Sequence, residues 1–354
     1  MELSPASELL SDRAFYSRHF MDLALWEPFV RQSCEQHGLG CTQVRPGIPG
    51  TFPTFVVELM PRGSQPPLQS VVVKFFGPLF DGACSFQIEN EVGHWLAQQT
   101  LPIRSPAILA DGQLDHEWSY LIFEGIQGVS IGQVRTQLSL DSWAGVAEQM
   151  GVFIKALHMS TTTALIEIEM PSSTKVWSGF ADFLELQRST CHANHQRWDD
   201  LPPHLLPQVQ DYLIPVDQLL DASSLPHLIH ADLTSDHLLG GLVSEAQFPS
   251  IEPHSSMLAR AGWDSLAIID WGDTRIGNIL YELVALYLDL LQVDKGLLKI
   301  CLEHYGLPDF YRQDFPRKAL CMVLLHQFPM PAWVYEPYRD AATLDELAEG
   351  LFGA

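Results

Sequence analysis

The sequence predicts an α+β protein with two lobes: a small strand-rich lobe over residues 1–125 and a larger, mainly helical lobe over residues 126–354. Two observations lead to this prediction. Before residue 125, apolar β-rich runs alternate with turn residues around one internal helix, whereas long helical patterns dominate after Gly128. The chain of 354 residues is also long enough for two domains with buried cores.

The elements of the first lobe follow from the pattern of the sequence. We expect residues 1–45 to be helical, because LWEPFVRQSCEQHGL spaces its apolar side chains at helical intervals and stops at Gly38. Two strands, TFPTFVVELM and QSVVVKFFG, come next between turn residues. SFQIENEVGHWLAQQ then predicts a helix with one apolar face, and WSYLIFEGIQG predicts a buried strand.

The second lobe is predicted to be a series of helices interrupted by two short strands. The helices begin with DSWAGVAEQMGVFIKALHMS and end with LDELAEGLFG. The two strands, LPHLIHADL and LAIIDWGD, are apolar runs that each end in acidic residues. Between them lies an unusually long connection, residues 240–264, which we expect to project as a surface loop beside these strand ends or to shape a substrate pocket.

The charge of the chain limits its partners. With 43 acidic and 20 basic side chains, its formal net charge is −23. Nucleic acids and anionic membranes would be repelled by such a surface, whereas a cationic small molecule would be attracted. We therefore expect no nucleic-acid or membrane partner, and a monomer or weak dimer that binds a cationic small molecule.

Cysteine usage and the N-terminal residues predict a cytoplasmic location. The six cysteines are widely spread and form no CxxC pair, which is typical of free thiols in a reducing compartment. The first residues, MELSPASELLSD, have neither the basic start nor the apolar stretch of a signal peptide. No apolar run approaches the roughly 20 residues of a membrane helix.

Lys74 is one of six lysines and stands among five large apolar residues. An ammonium group is rarely buried without a partner, because removing it from water is costly. One interpretation places Lys74 on an edge strand, directed to solvent. In the other, Glu89 or Glu91 of the following helix pairs with Lys74 and holds it ready for a phosphate.

Chemically active side chains collect at the ends of the two short strands. They are His230, Asp232, Asp236 and His237 after the first strand, and Asp270 and Asp273 after the second. Carboxylates in such positions suit a site better than a core, and hard cations such as Mg²⁺ prefer their oxygens. A further carboxylate could deprotonate a hydroxyl. The alternative is that these residues cap helices or form turns, which suits Asp236 and Asp273 best.

The order of these parts resembles the aminoglycoside phosphotransferase family, whose fold is that of protein kinases. Its most specific portion is LIHADLTSDHLLG followed by LAIIDWGDTRIGNILYELVAL, which is similar to the family's catalytic loop and metal-binding segment. LWEPFVRQSCEQHGL, VVVKFFG, IENEVGHWLAQ and LLHQFPMPAWVYEPYRDAATLDELAEGLFG are similar to members that phosphorylate the 7″-hydroxyl of hygromycin B. The resemblance implies a bilobal kinase-like fold and a small-molecule kinase, with antibiotic resistance as a possible role.

For the first lobe, the resemblance implies nucleotide binding. Lys74 would bind the α- and β-phosphates of ATP or GTP and be held by Glu89. The segment with Gly47 and Gly50 would lie over the phosphates, although PGIPGT is not a regular glycine-rich motif. The backbone around Glu124 and Ile126 would form the hinge that recognises adenine.

For the second lobe, the resemblance implies catalysis and acceptor binding. Asp232 would take the proton of the acceptor hydroxyl, Asp270 would coordinate Mg²⁺, and His230 would support the loop. The family has asparagine as a second metal ligand where this chain has His237. Imidazole is a softer donor that suits manganese or zinc better than magnesium, so either His237 binds the metal or Asp236 supplies an oxygen instead.

The acceptor site is expected among acidic and aromatic residues of the second lobe. Carboxylates would hold ammonium groups of an aminoglycoside, and aromatic rings in HQFPMPAWVYEPY would stack on its sugars. The alternative is that these carboxylates form an ordinary solvated surface and the rings belong to the core. The candidate carboxylates are Asp182, Glu185, Glu336 and Asp340.

Two other functions fit part of the sequence. A metal-dependent hydrolase would use His230, Asp232, His237 and Asp270 as ligands, but it would leave Lys74 and the glutamate helix without a role. A nucleotide-binding pseudokinase would keep the fold and lose transfer through the change at His237. Retention of the lysine, the glutamate and both aspartates argues against the pseudokinase.

Overall fold

The computed structural model describes residues 12–60, 69–164, 176–221, 226–243 and 262–353. The described residues form two units. One contains the residues up to Val129 together with Leu266–Asp273, and the other contains Ser130–Ser265 and the residues from Thr274 onward. A strand-rich unit and a helical unit are what the α+β prediction requires. The predicted division at residue 125 stays a prediction, as do the roles assigned to each lobe.

The first unit is built on one antiparallel sheet of five strands in the order β1-β2-β3-β5-β4. Strand β3 lies in its middle and pairs with β2 on one side and β5 on the other. The elements of this unit are α1 Arg13–His19, α2 Leu23–Gln36, β1 Cys41–Pro46, β2 Thr54–Leu59, β3 Ser70–Phe76, α3 Gly82–Leu96, β4 Ile108–Gln113 and β5 Ser119–Glu124.

The prediction that residues 1–45 are helical is wrong at its C-terminal end, and residues 1–11 lie outside the described part of the chain. Residues 41–45 belong to strand β1, in which Val44 pairs with Val57 of β2. Helix α2 ends because Gly38 adopts a left-handed conformation with φ of 69°. After this break, adding a strand to the sheet stabilises the chain more than extending the helix would, because the strand buries Val44.

The core of the first unit lies between helix α2 and one face of the sheet. Trp26 of α2 is 1% exposed, and its ring lies 5.0 Å from the ring of Phe75 and 5.2 Å from that of Trp118. Val73 and Val71 of β3 are fully buried in the same cluster. This packing fixes the position of β3, and with it the position of Lys74.

The second unit is mainly helical. Two small sheets accompany its helices, one pairing β7 with β10 and one in the order β6-β8-β9. The elements from residue 129 onward are β6 Val129–Ser130, α4 Ile131–Val134, α5 Leu140–Ala164, α6 Val176–Trp198, α7 Val209–Tyr212, α8 Val216–Leu219, β7 His227–Ile229, β8 Leu238–Leu242, β9 Trp263–Ile268, β10 Arg275–Gly277, α9 Ile279–Ala285, a π-helical turn Leu286–Leu290, α10 Lys295–Tyr305, α11 Asp309–Arg312, α12 Phe315–Leu324, α13 Ala332–Tyr335 and α14 Leu344–Phe352, with 3₁₀ turns at Arg135–Gln137, Leu206–Gln208 and Glu336–Tyr338.

The structure also bears on three predictions about the cysteines, membrane-spanning helices and the long connection between the two acidic strands. All six cysteines are free thiols. Within the part of the chain that the structure describes, no helix combines the length and the apolar character that crossing a bilayer requires. Most of the predicted insertion at 240–264, namely residues 244–261, lies outside the described residues.

The core packing predicts the effect of Trp26→Ala. Removing this buried indole should lower the free energy of unfolding by about 3–5 kcal/mol, because it deletes apolar contacts and leaves a cavity. Urea denaturation would measure the loss. Leu140→Ala, at a side chain that is 83% exposed, is the control and should change stability by less than about 0.5 kcal/mol. Similar losses for the two variants would contradict the assignment of Trp26 to the core.

Candidate active site

The ammonium group of Lys74 lies between two carboxylates of the first unit. Its Nζ atom is 2.7 Å from Oε2 of Glu89 and 2.7 Å from Oδ1 of Asp270. Lys74 and Glu89 are 6% and 3% exposed. Because β3 is the central strand, the interpretation of Lys74 as a solvent-facing residue of an edge strand is wrong. Glu91 is not its partner either, since Oε1 of Glu91 accepts a hydrogen bond from Gln87.

Charge pairing keeps Lys74 protonated in spite of its burial. Burial by itself lowers the pKa of this ammonium, but the carboxylates of Asp270 and Glu89 outweigh that effect and raise the pKa above its ordinary value. Burial raises the pKa of Glu89 to about 7, while Lys74 acts in the opposite direction. The rings of Phe52 and Phe76 add cation–π contacts at 5.7 and 5.2 Å.

The backbone around Asp270 holds its carboxylate toward Lys74. Asp270 has a φ of 64°, an unusual left-handed conformation for a residue other than glycine. On its N-terminal side, the backbone N–H of Ile268 donates to the Arg104 carbonyl. On its C-terminal side, the backbone of Trp271 forms a hydrogen bond with Glu89. A strained aspartate held in this way is typical of a functional site.

Gly47 and Gly50 lie in the turn between β1 and β2, near the same pair of carboxylates. The N–H of Gly47 donates to the carbonyl of Thr54 at 2.8 Å, and a Cβ at position 47 would lie 3.0 Å from that carbonyl oxygen. A Cβ at position 50 would lie 4.0 Å from Oδ2 of Asp270. Glycine at these positions therefore keeps the turn tight and leaves the space beside Asp270 open.

The predicted hinge begins at Glu124, the last residue of strand β5. The N–H of Glu124 donates to the Ala107 carbonyl, and the carboxylate of Glu124 pairs with Arg104. Ile126 is half-buried. Arg104 is a partner that the sequence pattern did not single out, because nothing in its local sequence marks it.

In the second unit, Asp232 and His237 form one hydrogen-bonded loop after β7. Nδ1 of His237 lies 2.5 Å from the backbone carbonyl of Asp232 and 3.1 Å from the hydroxyl of Thr234. It is 3.8 Å from Oδ2 of Asp232. A backbone carbonyl can only accept a hydrogen bond, so Nδ1 donates to it, and in the neutral ring Nε2 then carries the lone pair. Such a carbonyl contact commonly orients a metal-binding histidine.

Asp236, the alternative oxygen ligand, is directed elsewhere. It is exposed, and its Oδ1 accepts a hydrogen bond from the hydroxyl of Ser130 at 3.2 Å. Among the described residues, no group of three or more His, Cys, Asp and Glu side chains is arranged to hold a metal ion. The metal-dependent hydrolase requires such a group and therefore gains no support.

The side chain of Glu282 accepts a hydrogen bond from the backbone of this loop. The sequence pattern did not single out this residue. Its Oε2 accepts the backbone N–H of Ala231 at 3.1 Å, and Ala231 has a φ of 67°. Glu282 is 1% exposed, and burial raises its pKa to about 7, against the smaller effect of hydrogen bonds from the backbone of Ala231 and His230. The available signal was a glutamate inside the otherwise apolar run ILYELVALYL.

The four carboxylates predicted to bind ammonium groups all lie on the exposed surface: Asp182, Glu185, Glu336 and Asp340. Glu185 pairs with Arg188 at 3.7 Å, and Glu336 pairs with Arg339. Two of the four carboxylates thus already have an arginine partner, as is common on a solvated surface.

The family is established by comparison. A model of the phosphotransferase enzyme family (APH) matches residues 60–241, just over half of the chain. This chain belongs to the phosphotransferase enzyme family. The match includes Lys74, Glu89 and the loop that carries Asp232 and His237, whereas Asp270 lies beyond it.

A relative and two solved structures complete the comparison. Lysine-specific demethylase JMJ21 of Arabidopsis thaliana is 24% identical over 221 residues, which are 54% of this chain and 22% of that protein. The chain thus spans about a fifth of the length of that relative. The GDP complex of aminoglycoside 2′-phosphotransferase-IIIa matches with a TM-score of 0.60 at 16% identity, covering 94% of this chain and 96% of that one. A GDP and kanamycin complex of an APH(2″) enzyme has a TM-score of 0.58 at 18% identity, covering 92% and 96%.

These similarities confirm the predicted kinase-like fold of the aminoglycoside phosphotransferases. At such low identity they establish the fold, while the acceptor and the metal require separate arguments.

The raised pKa of Glu282 predicts a pH-dependent stability. The folded chain holds this proton more tightly than the unfolded chain, so the stabilisation is complete below pH 4.5 and is lost as the pH rises through about 7. In Glu282→Gln that titration is absent. Between pH 5 and pH 8, the stability of the variant relative to the wild type should therefore rise by about 2 kcal/mol.

Urea denaturation at each pH would measure this difference. Glu303→Gln, at an exposed glutamate of α10, is the matched control, and its difference from the wild type should stay constant over the same range. A constant difference for Glu282→Gln as well would show that Glu282 does not retain its proton in the folded chain.

Proposed function

We propose that this protein transfers the γ-phosphoryl group of ATP or GTP to a hydroxyl of an aminoglycoside, hygromycin-like, or of a related small molecule. The observation that carries the proposal is the buried Lys74, held at 2.7 Å by both Glu89 and Asp270 in a chain of the phosphotransferase family. A fixed ammonium beside a glycine-containing turn suits nucleotide phosphates. We expect a cytoplasmic protein, in line with its six free thiols, acting as a monomer or weak dimer.

Lys74 would bind the α- and β-phosphates. Its charge is retained because two carboxylates compensate it, and Glu89 restricts its position. Gly47 and Gly50 would let the backbone of the β1–β2 turn approach the phosphates, and backbone groups near Glu124 and Ile126 would recognise the base. Catalysis of phosphoryl transfer depends mainly on such positioning and on neutralising phosphate charge.

Asp232 would act on the acceptor. Its side chain is 24% exposed, which makes it accessible to a substrate. As the acceptor oxygen bonds to the γ-phosphorus, the bond from that phosphorus to the β–γ bridging oxygen breaks and the nucleoside diphosphate leaves. The carboxylate of Asp232 accepts the hydrogen bond of the acceptor hydroxyl and takes its proton.

Asp270 and His237 are the residues that would hold a divalent cation. They fit it chemically: Asp270 offers a carboxylate, and the contact of Nδ1 with a carbonyl leaves the lone pair of His237 on Nε2. When bound, such a cation neutralises charge on the phosphates. Imidazole is a more favourable ligand for Mn²⁺ than for Mg²⁺.

The function predicts phosphate transfer that depends on Asp232. With ATP and Mg²⁺, the wild type should phosphorylate at least one member of a panel that includes hygromycin B and kanamycin, as read by mass spectrometry. Asp232→Asn should lower kcat by at least about 100-fold, because the base is lost, while nucleotide affinity stays within about twofold. Asp236→Asn is the matched control, since Asp236 faces Ser130. Unchanged turnover in Asp232→Asn would refute its role.

The metal assignment predicts the effect of His237→Asn. The wild type should show a higher ratio of activity with Mn²⁺ to activity with Mg²⁺ than the asparagine variant, because an amide oxygen favours the harder ion. Electron paramagnetic resonance of Mn²⁺ with nucleotide bound would measure the metal directly, and we expect weaker Mn²⁺ binding in the variant. Equal Mn²⁺ binding and equal activity ratios would show that His237 is not a ligand.

A further inference from the structure

Arg275 lies beside the strand that leads into the catalytic loop. It is the first residue of β10, which pairs antiparallel with β7, and it stands opposite Ile229. Asp232 follows Ile229 by three positions in the same chain segment. Strand pairing therefore places an arginine next to the backbone that carries the proposed base.

The guanidinium of Arg275 is held in place by uncharged groups. It lies over the ring of Phe183 of α6, 4.0 Å from the ring centroid, and one terminal nitrogen donates to Oε1 of Gln327 at 2.5 Å. Arg275 is half-buried. None of the ion pairs formed among the described residues includes Arg275, and its buried Nε atom has no hydrogen-bond partner there.

Among the residues that the structure describes, the neighbours of Arg275 carry no charge that compensates it. His326 is buried, and burial lowers its pKa to about 3, with a smaller contribution from Arg275 itself, so its ring is neutral. The ring of Tyr281 lies 4.5 Å from that of His326 and 5.8 Å from that of Phe183. The guanidinium of Arg275 thus lies next to aromatic, uncharged side chains, where a cation without a counter-charge is unfavourable.

The placement of the Arg275 guanidinium suits the binding of an anion better than it suits the shielding of the Phe183 ring from solvent. Covering Phe183 requires only an apolar or flexible side chain, whereas a planar guanidinium fixed by stacking presents a fork that matches carboxylate and phosphate oxygens. Fixing the fork in advance also reduces the entropy that an anionic ligand would lose on binding. In a low-dielectric surrounding, such a charge-assisted contact is strong.

We propose that Arg275 is a specificity residue that binds an anionic group, a carboxylate or a phosphate ester, on the acceptor whose hydroxyl Asp232 activates. The proposal rests on the proposed kinase function and, of the acceptors named there, favours a related small molecule over an aminoglycoside. The acceptor then carries a negative charge beside its reactive hydroxyl, in contrast to the cationic acceptor expected from a net charge of −23.

Measuring the binding of anionic compounds in the absence of nucleotide tests the proposed anion site separately from phosphate transfer. D-gluconate would probe a carboxylate, D-glucose 6-phosphate a phosphate ester, and D-glucose the matched neutral compound, each by isothermal titration calorimetry. The wild type should bind one of the anions, and Arg275→Gln should bind it at least about tenfold more weakly, the loss expected for one charged contact. D-glucose should bind neither to the wild type nor to Arg275→Gln.

Arg197→Gln is the matched control, because Arg197 also lies over an aromatic ring, that of Trp198, but is exposed on the surface of α6. It removes the same charge and should leave anion binding unchanged. If Arg275→Gln does not fold, Arg275→Lys takes its place, and it should weaken binding because it keeps the charge but loses the fork. Equal binding by wild type and Arg275 variants, or no binding of either anion by the wild type, overturns the proposal.

Kinetics separate this proposal from the proposed function. With ATP and Mg²⁺ added, Arg275→Gln should lower kcat/KM for the phosphorylated anion about tenfold and leave the KM for ATP unchanged. Transfer to kanamycin or hygromycin B with equal kcat/KM in both proteins would leave the kinase function standing and refute the role of Arg275. A raised KM for ATP would refute it too, since Arg275 would then contact the nucleotide. Anion binding through Arg275 without any phosphate transfer would refute the kinase instead.

Discussion

The first unit depends on one buried ammonium group. Lys74 lies within 2.7 Å of two carboxylates that come from positions 15 and 196 residues away in the chain. Loss of Lys74 would leave the buried carboxylate of Glu89 without a cation, which is strongly destabilising in a protein interior. The same three side chains hold β3, α3 and the segment Leu266–Asp273 in a defined arrangement. Charge pairing thus links the order of this unit to the position of the lysine that we propose to bind phosphate.

The second unit stabilises its loop in a different way. Ala231 adopts a left-handed conformation, which is costly for a residue with a Cβ, and the buried Glu282 accepts its N–H from behind. The loop can therefore present Asp232 while His237 contacts the carbonyl of the same residue. Hydrogen bonds to the backbone at Ala231 and Asp232 thus define the conformation of this loop.

The net charge of −23 describes the whole chain and does not by itself define the acceptor. The exposed carboxylates on α6 and near α13 pair with neighbouring arginines or face solvent, as a solvated surface does. Beside strand β7, by contrast, the guanidinium of Arg275 lies over the ring of Phe183. Selectivity depends on the few groups next to the reacting atoms, and the sum of all charges mainly affects the approach of a ligand.

The sequence by itself determined the α+β class, the position of Lys74 within an apolar run, and the two acidic strand ends, because these features depend on local patterns. Only the tertiary structure decided that Lys74 is buried on a central strand and that its partner is Glu89 rather than Glu91. Two residues such as these on one helix point about 200° apart, and packing decides which of them faces the lysine. It likewise placed Asp236 toward Ser130 and revealed Glu282 and Arg275. Their partners lie far away in the chain, and only folding brings such groups within hydrogen-bond distance.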